Sequence, residues 1–379
     1  MKFESFISGT NRQQYQYKSF QPALVNLEWR WEDPRINQLL EKASRALGEL
    51  NAFTSIVPNV EMFIRMHVIK EARLSCQIEG TRTQMDEAVL EENEIPPERR
   101  NDWREVQNYI RAMNEAVATL PALPLSLRLL KDTHATLLSG VRGERKTPGE
   151  FRRSQNWIGG ASLADAAFIP PHHNDLPELL GDLEAFWHND EIQVPHLIRC
   201  AISHYQFETI HPFLGGNGRI GRLLITLYLV SNGLLTNPSL YLSTHLEKNR
   251  GAYFDALTRV RESNDIGHWC RFFLQAVLET AENGKQTFQN ILALRQELDS
   301  VIATLGRRAE NGHKLLHYLY EQPAVNVGTV ANQLQTTYQS ANQLVNTLVE
   351  KGVLAEITGY QRNRIFVFHR YLKIFSGET

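Results

Sequence analysis

The 379-residue chain reads as a mainly α-helical protein, and three observations predict it. Apolar residues recur at three- and four-residue spacing, as in Ile36, Leu39, Leu40, Ala43 and Leu47, or Met62, Met66, Ile69, Ala72 and Cys76. Helix-stopping residues follow such runs at Gly80, at Pro121 and Pro124, and at Asn232-Gly233. Extended composition is confined to short runs within residues 141–171 and 353–368.

Composition narrows the class. With 42% hydrophobic and 22% charged residues the chain is ordinary globular material, long enough for two or three cores. A net charge of −2 argues against attraction of the whole protein to nucleic acid or a membrane surface. Cys76, Cys200 and Cys270 are odd in number and lack CxxC spacing, which disfavours a disulfide framework or zinc site. No apolar core follows Met1 and no apolar run reaches 18 residues, so a cytoplasmic, reduced protein without membrane contact is expected.

In chain order, four units are expected: a helical region over 1–118, a core over 119–281, a linker helix over 282–310 and a separate unit over 311–379. Residues 1 to about 35 lack periodicity and read as an arm. The second helix ends in Ser75-Cys76-Gln77-Ile78-Glu79-Gly80, where Ser75 and Glu79, four apart, share a face and Gly80 stops the helix. Taken alone, that is a helix end with a solvated glutamate. Leu127, Leu130, His134 and Leu137 share the next face, with His134 read as a hydrogen-bonded core histidine. Residues 141–171 are rich in glycine, proline and arginine. Two short extended runs there flank Gly159-Gly160 and read as a surface hairpin or loop, and so long a connector is usually functional.

The chain centres on His211-Pro-Phe-Leu-Gly-Gly-Asn-Gly-Arg-Ile-Gly-Arg222. A helix runs in through Leu197, Ala201, Tyr205 and Ile210, and another runs out through Ile220, Leu223, Leu224, Leu227 and Val230. The glycine-rich loop between them lets backbone N–H groups turn toward an anion at a helix start. Arg219 and Arg222 are expected on one helix face, with His211 at the other lip of the loop. The physical reading is a phosphate cradle, two cations and a base.

This stretch resembles the Fic family signature His-Pro-Phe-x-(Asp/Glu)-Gly-Asn-Gly-Arg-x-x-Arg, and the resemblance runs in domain order from about residue 20 to the C-terminus. It implies a Fic-type helical core with a short β-hairpin flap. It implies transfer of AMP from ATP, the co-substrate, to a Tyr, Thr or Ser hydroxyl of a target protein or of the chain itself. In that frame His211 is the general base. Gly215, Gly216, Asn217, Gly218, Arg219 and Arg222 surround the nucleotide, with Asn217, Arg219 and Arg222 joining His211 in catalysis. Mg²⁺ belongs at the signature's acidic position. Gly215 stands there instead and offers a hard cation only its carbonyl; a carboxylate restored at 215 is expected to raise Mg²⁺ dependence and activity.

Ser75, Glu79 and Gly80 resemble the family's inhibitory motif, which implies that Glu79 pairs with Arg222 where a γ-phosphate would sit. The 141–171 segment resembles the family's flap, with Trp157, Ile158 and Gly160 as candidates for pairing with an extended target segment. Two other readings stay open. Glu79 could activate water to remove AMP from modified proteins, or the pocket could bind nucleotide as a non-catalytic sensor.

Past the loop, Tyr253, Leu257 and Val260, then Trp269, Phe272, Phe273 and Val277, mark further core helices. Ile291, Leu294, Leu298, Val301 and Leu305 form a short heptad-like seam, either docked on its own chain or a homodimer contact. The last unit has three helical patterns and two β-type runs hinged at Gly359, with Arg362 and Arg364 at the tip, an arrangement that spells a winged helix. Residues 311–379 hold six Lys/Arg (Lys314, Lys351, Arg362, Arg364, Arg370, Lys373) and four Glu. That is a poor footprint for DNA, and contact with protein is favoured.

Overall fold

The computed structural model describes residues 1–57, 59–359 and 363–376. The arm is not irregular. It forms an antiparallel hairpin, β1 (Gly9–Gln13) with β2 (Lys18–Pro22), and Phe20 N–H donates to Ile169 O at 2.9 Å. The hairpin thereby supports the loop segment above the centre of the chain.

Helices follow in the expected order. α1 (Pro34–Ile56) starts where Asp33 accepts from Arg35 N–H and Pro34 fits the first turn. α2 (Val60–Ile78) ends at Glu79, and Gly80 adopts φ +100°, which a side chain would resist. α3 (Arg100–Thr119) and α4 (Leu127–Leu137) flank the break at Pro121 and Pro124, with Ser126 capping α4. α5 (Leu176–His188), α6 (His196–Ile210) and α7 (Asn217–Ser231) complete the centre. Every residue of α6 from Leu197 to Ile210 is buried, so α6 is enclosed on all sides rather than on one stripe. One of its buried polar side chains is satisfied at both ends: His204 Nδ1–H donates to Gly221 O (2.8 Å), and Tyr253 O–H donates to His204 Nε2 (2.9 Å).

α8 (Ser243–Lys248) and α9 (Arg250–Ser263) lead to α10 (Ile266–Ala303), capped by Asp265 on His268 N–H. α10 is one uninterrupted 38-residue helix, about 57 Å long at 1.5 Å per residue. The division drawn at 281/282 falls inside it. Its heptad-like face docks on the same chain: Ile291, Leu294 and Leu298 are buried, and Phe288 packs on Phe53 of α1.

The C-terminal unit comprises α11 (Ala309–Glu321), β3 (Ala324–Asn326), α12 (Val327–Gln333), α13 (Tyr338–Glu350), β4 (Ala355–Glu356), β5 (Ile365–Val367) and α14 (His369–Ser376). Its antiparallel sheet runs β3-β5-β4. Arg364 is engaged by Asn342 (3.0 Å) and Glu356 (3.6 Å); Arg362 lies outside the described residues. This unit packs on α2, with Tyr320 edge-on to Phe63 and Phe375 edge-on to His67. Arg370 holds Glu297 of α10 through two hydrogen bonds, 2.7 and 2.6 Å. Among the described residues no helix is long and apolar enough to cross a membrane.

Candidate functional site

The loop joining α6 to α7 turns on two left-handed residues, His211 (φ 51°) and Gly216 (φ 78°). A histidine tolerates this region only when its surroundings hold it there. Those holds come from the 141–171 segment. Arg152, 2% exposed, donates to His211 O (3.0 Å), Ile210 O (3.3 Å) and Pro171 O (2.6 Å), and its own N–H donates to Pro212 O (2.9 Å). Asn156 Nδ2 donates to His211 O (3.1 Å) and Phe213 O (2.9 Å).

Asn217 closes the loop from the other side. Its Oδ1 accepts from Phe213 N–H and its Nδ2 donates to Phe213 O, both at 2.8 Å. Both polar ends of the side chain are therefore spent inside the loop. Asn217 thereby shapes the loop and is the first residue of α7.

His211 Nδ1–H points at Glu208 O, 3.4 Å away, which leaves Nε2 as the basic atom. Burial lowers the His211 pKa to about 4, against the backbone contact and the Glu79 charge that raise it. The imidazole is neutral at pH 7 and able to accept a proton.

The two arginines diverge. They leave the same helix three residues apart, and each guanidinium engages a different neighbouring helix. Arg219 Nη1 donates to Glu105 of α3 at 3.1 Å, with the pair 7% and 1% exposed. Arg142 takes the other oxygen of Glu105 at 3.2 Å. Arg222 reaches α2: Nε–H donates to Ser75 Oγ (2.8 Å), and Nη2 donates to Ser75 O (2.8 Å) and to Glu79 Oε1 (2.9 Å). Burial would push the Glu79 carboxyl up, but the charge and hydrogen bond of Arg222 outweigh it and hold it below the usual range. A Cβ at Gly218 would collide with Glu79 Oε1, so the carboxylate lies against the first turn of α7. It occupies the place where helix N–H groups and Arg222 favour an anion.

Sequence reasoning missed four neighbours of this centre. His134 accepts from Gly149 N–H at Nδ1 and donates from Nε2–H to Gly215 O, both at 2.9 Å, while stacking on Phe213 at 3.8 Å. It is the hydrogen-bonded core histidine expected, but it pins the loop. Glu105 is the buried partner of Arg219. Glu208, 8% exposed, lies against Gly221, and its Oε1 has no hydrogen-bond partner among the described residues; burial raises its pKa to about 7. Lys146 lies over Gly215, its Cδ 2.9 Å and Nζ 3.4 Å from where a Cβ would stand. Periodicity reports faces, not partners in other segments, and so signals none of these contacts.

The flap residues stand above the loop as an open strap. Ile158 exchanges hydrogen bonds with Phe168 (2.9 and 3.1 Å), a single antiparallel bridge. Gly159 and Gly160 (φ 69° and 72°) enter a wider loop closed by Asp165, rather than making a two-residue turn. Trp157 is 40% exposed.

The residues present do not fit Mg²⁺ at the signature's acidic position. Gly215 has no side-chain oxygen, its carbonyl is taken by His134, and the Lys146 chain fills the space beside it. A carboxylate restored at 215 would meet that lysine before it met a metal.

Fold and site together describe a helical protein with a glycine-rich loop between two central helices, a carboxylate of its own chain lying against the helix that follows. Residues 37–118 match the Fic/DOC family N-terminal description and residues 124–229 the Fic/DOC family itself. Protein adenylyltransferase Fic of Culex quinquefasciatus is 31% identical over 159 residues, 42% of this chain and 29% of its own length. The Aedes aegypti protein of the same name is 32% identical over 159 residues, with the same coverage. The chain thus spans less than a third of the length of these curated relatives. A Fic family protein of Desulfovibrio desulfuricans G20 superposes with TM-score 0.56 and 19% identity, covering 89% of this chain and 96% of that one; at that identity it bears on the fold alone. The chain is a mainly helical protein of Fic fold, carrying Fic N-terminal and Fic domains.

Proposed function

We propose that the protein transfers AMP from ATP to a hydroxyl side chain (Tyr, Thr or Ser) of a protein, restrained by Glu79. The carrying observation is the Glu79 carboxylate seated on Arg222 and the first turn of α7, an anion in a phosphate-shaped place. When Glu79 leaves, the nucleotide's phosphates take the amides of Gly216–Gly218 and the Arg222 guanidinium. Neutral His211 removes the hydroxyl proton, the oxygen attacks the α-phosphorus, and pyrophosphate departs. Arg219 braces α7 on Glu105 while adding positive charge behind the loop. The strap at Trp157, Ile158 and Gly160 offers backbone groups to an extended target segment. Residues 311–379 are read as a winged helix that contacts protein, since Arg364 is already bound within it.

Incubation with ATP labelled at the α-phosphate tests this. Covalent label on the chain or an added protein, lost on His211→Ala, is the expected result. ATP binding without label, even with Glu79 removed, would rule out transfer and leave the sensor and AMP-removal readings. A second reading, removal of AMP by water activated at Glu79, is favoured by one observation: the Glu79 side chain is 37% exposed, open to solvent. Release of AMP from a pre-modified protein is its assay.

A further inference from the structure

We propose that the Lys146 ammonium supplies, from within the chain, the positive charge a metal ion would place beside the nucleotide phosphates, so that nucleotide binding here does not depend on Mg²⁺. This rests on the nucleotide reading above. The loop carrying Lys146 runs directly over Gly215, with Nζ 3.4 Å from where a Cβ would stand. An acidic residue there would place a cation about 2.1 Å beyond a carboxylate oxygen, in the space this ammonium reaches. The glycine and the lysine are complementary. Any side chain at 215 would require the lysine's outer methylenes, whose Cδ comes within 2.9 Å of the same point, to shift.

The lysine's perch is built rather than incidental. Lys146 N–H closes a turn on Gly143 O at 2.8 Å. The next residue, Thr147, is held at φ +47°, a region that a β-branched side chain preceding a proline strongly resists. Two residues on, Gly149 N–H is fixed by His134 Nδ1, and the opposite nitrogen of that ring holds Gly215 O. One fully buried imidazole therefore sets the lysine's loop and the phosphate loop in register. His134 must be neutral to donate at one nitrogen and accept at the other. Lys146 makes no ion pair among the described residues, so its charge is uncommitted until an anion arrives. A lysine is well suited to the task, since it binds phosphate as a point charge.

The test measures ATP binding by calorimetry in the Glu79→Gly background, in excess EDTA and in excess Mg²⁺. Glu79→Gly is expected to bind ATP within about twofold under both conditions. Adding Lys146→Ala should weaken binding in EDTA by about tenfold, with Lys146→Arg retaining most of the affinity. Adding Gly215→Asp to Lys146→Ala should recover affinity in Mg²⁺ only. Binding that collapses in EDTA with Lys146 present, or an alanine variant indistinguishable from its parent, overturns the proposal. ATP that binds to none of the variants under either condition overturns the nucleotide reading itself, and the lysine's role falls with it. Circular dichroism of each variant confirms that it is folded.

Discussion

Removing the Glu79 carboxylate releases Arg222, and the geometry sets how much that is worth. The Arg222 side chain is 2% exposed and donates to three acceptors on α2, of which Glu79 supplies one at 2.9 Å. Glu79→Gly leaves both bonds to Ser75, so the guanidinium stays placed while one charged acceptor is lost. A hydrogen bond to a charged group contributes about 1.5–3 kcal/mol. With 37% of the glutamate side chain in solvent, screening lowers that contribution to roughly 1.4–2.5 kcal/mol. At 1.4 kcal/mol per decade, transfer should rise about tenfold to seventyfold. The assay follows α-phosphate label in wild type, Glu79→Gly and Glu79→Gly/His211→Ala side by side. Equal labelling by wild type and Glu79→Gly, with fold and ATP affinity intact, would falsify the self-restraint. Arg222→Ala should not mimic Glu79→Gly, because it removes the phosphate's partner together with the brake's.

His211→Ala should abolish labelling while ATP affinity in the Glu79→Gly background changes by less than about threefold, since a base acts in the transition state; retained turnover would assign the base elsewhere. Because burial holds the His211 pKa at about 4, the base should stay neutral from pH 8 down to 5.5. A rate profile of the chemical step that falls with a midpoint near 6.5 would contradict that environment. Stability should also fall as pH drops through the ordinary histidine range. His134 and His204 titrate near 4 in the folded chain because both are buried, whereas the unfolded chain takes up these protons near 6.5. Their contribution is therefore full above about 6.5 and lost progressively toward 4, and thermal midpoints at pH 7 and 5 will register it. Gly215→Asp alone should not raise Mg²⁺ dependence, because the new carboxylate pairs with Lys146; a metal-dependent gain in the single variant would contradict the lysine's placement.

The sequence makes the centre legible because its chemistry is local. Twelve consecutive residues place His211, the glycines and Arg222, and helix periodicity carries α6 and α7 away from them. Spacing and a glycine stop make Ser75, Glu79 and Gly80 legible as a helix end, while the pairing of Glu79 with Arg222 is what the family resemblance implies. Contacts between distant segments are not legible. Arg219 lies 114 residues from Glu105, and no spacing rule foretells that a carboxylate of α3 pairs with it. Arg152 and Asn156 look like ordinary polar loop residues until their donors are seen on the carbonyls of 210–213. Continuity misleads in the other direction: Ala281 to Lys285 carries no strong apolar signal, yet α10 runs through it because α1 packs along both halves. The hairpin at the start has too few apolar positions to show alternation, and it is fixed by its partner at Ile169 instead.

The bare first turn of α7 has a consequence for how activity can be altered by inheritance. Gly218 is the clearance that Glu79 uses to approach Arg222, and under the proposed function a phosphate chain would use the same clearance. Any side chain at 218 would evict the carboxylate, but it would also close the cradle, so the lineage gains nothing by changing that position. If the proposed restraint by Glu79 operates, a permanently active variant is expected from a change at Glu79 or at Ser75 beside it, with the loop left intact. On the proposed reading, restraint and nucleotide binding share one volume, and a change on the α2 side reaches the first while leaving the loop as it is.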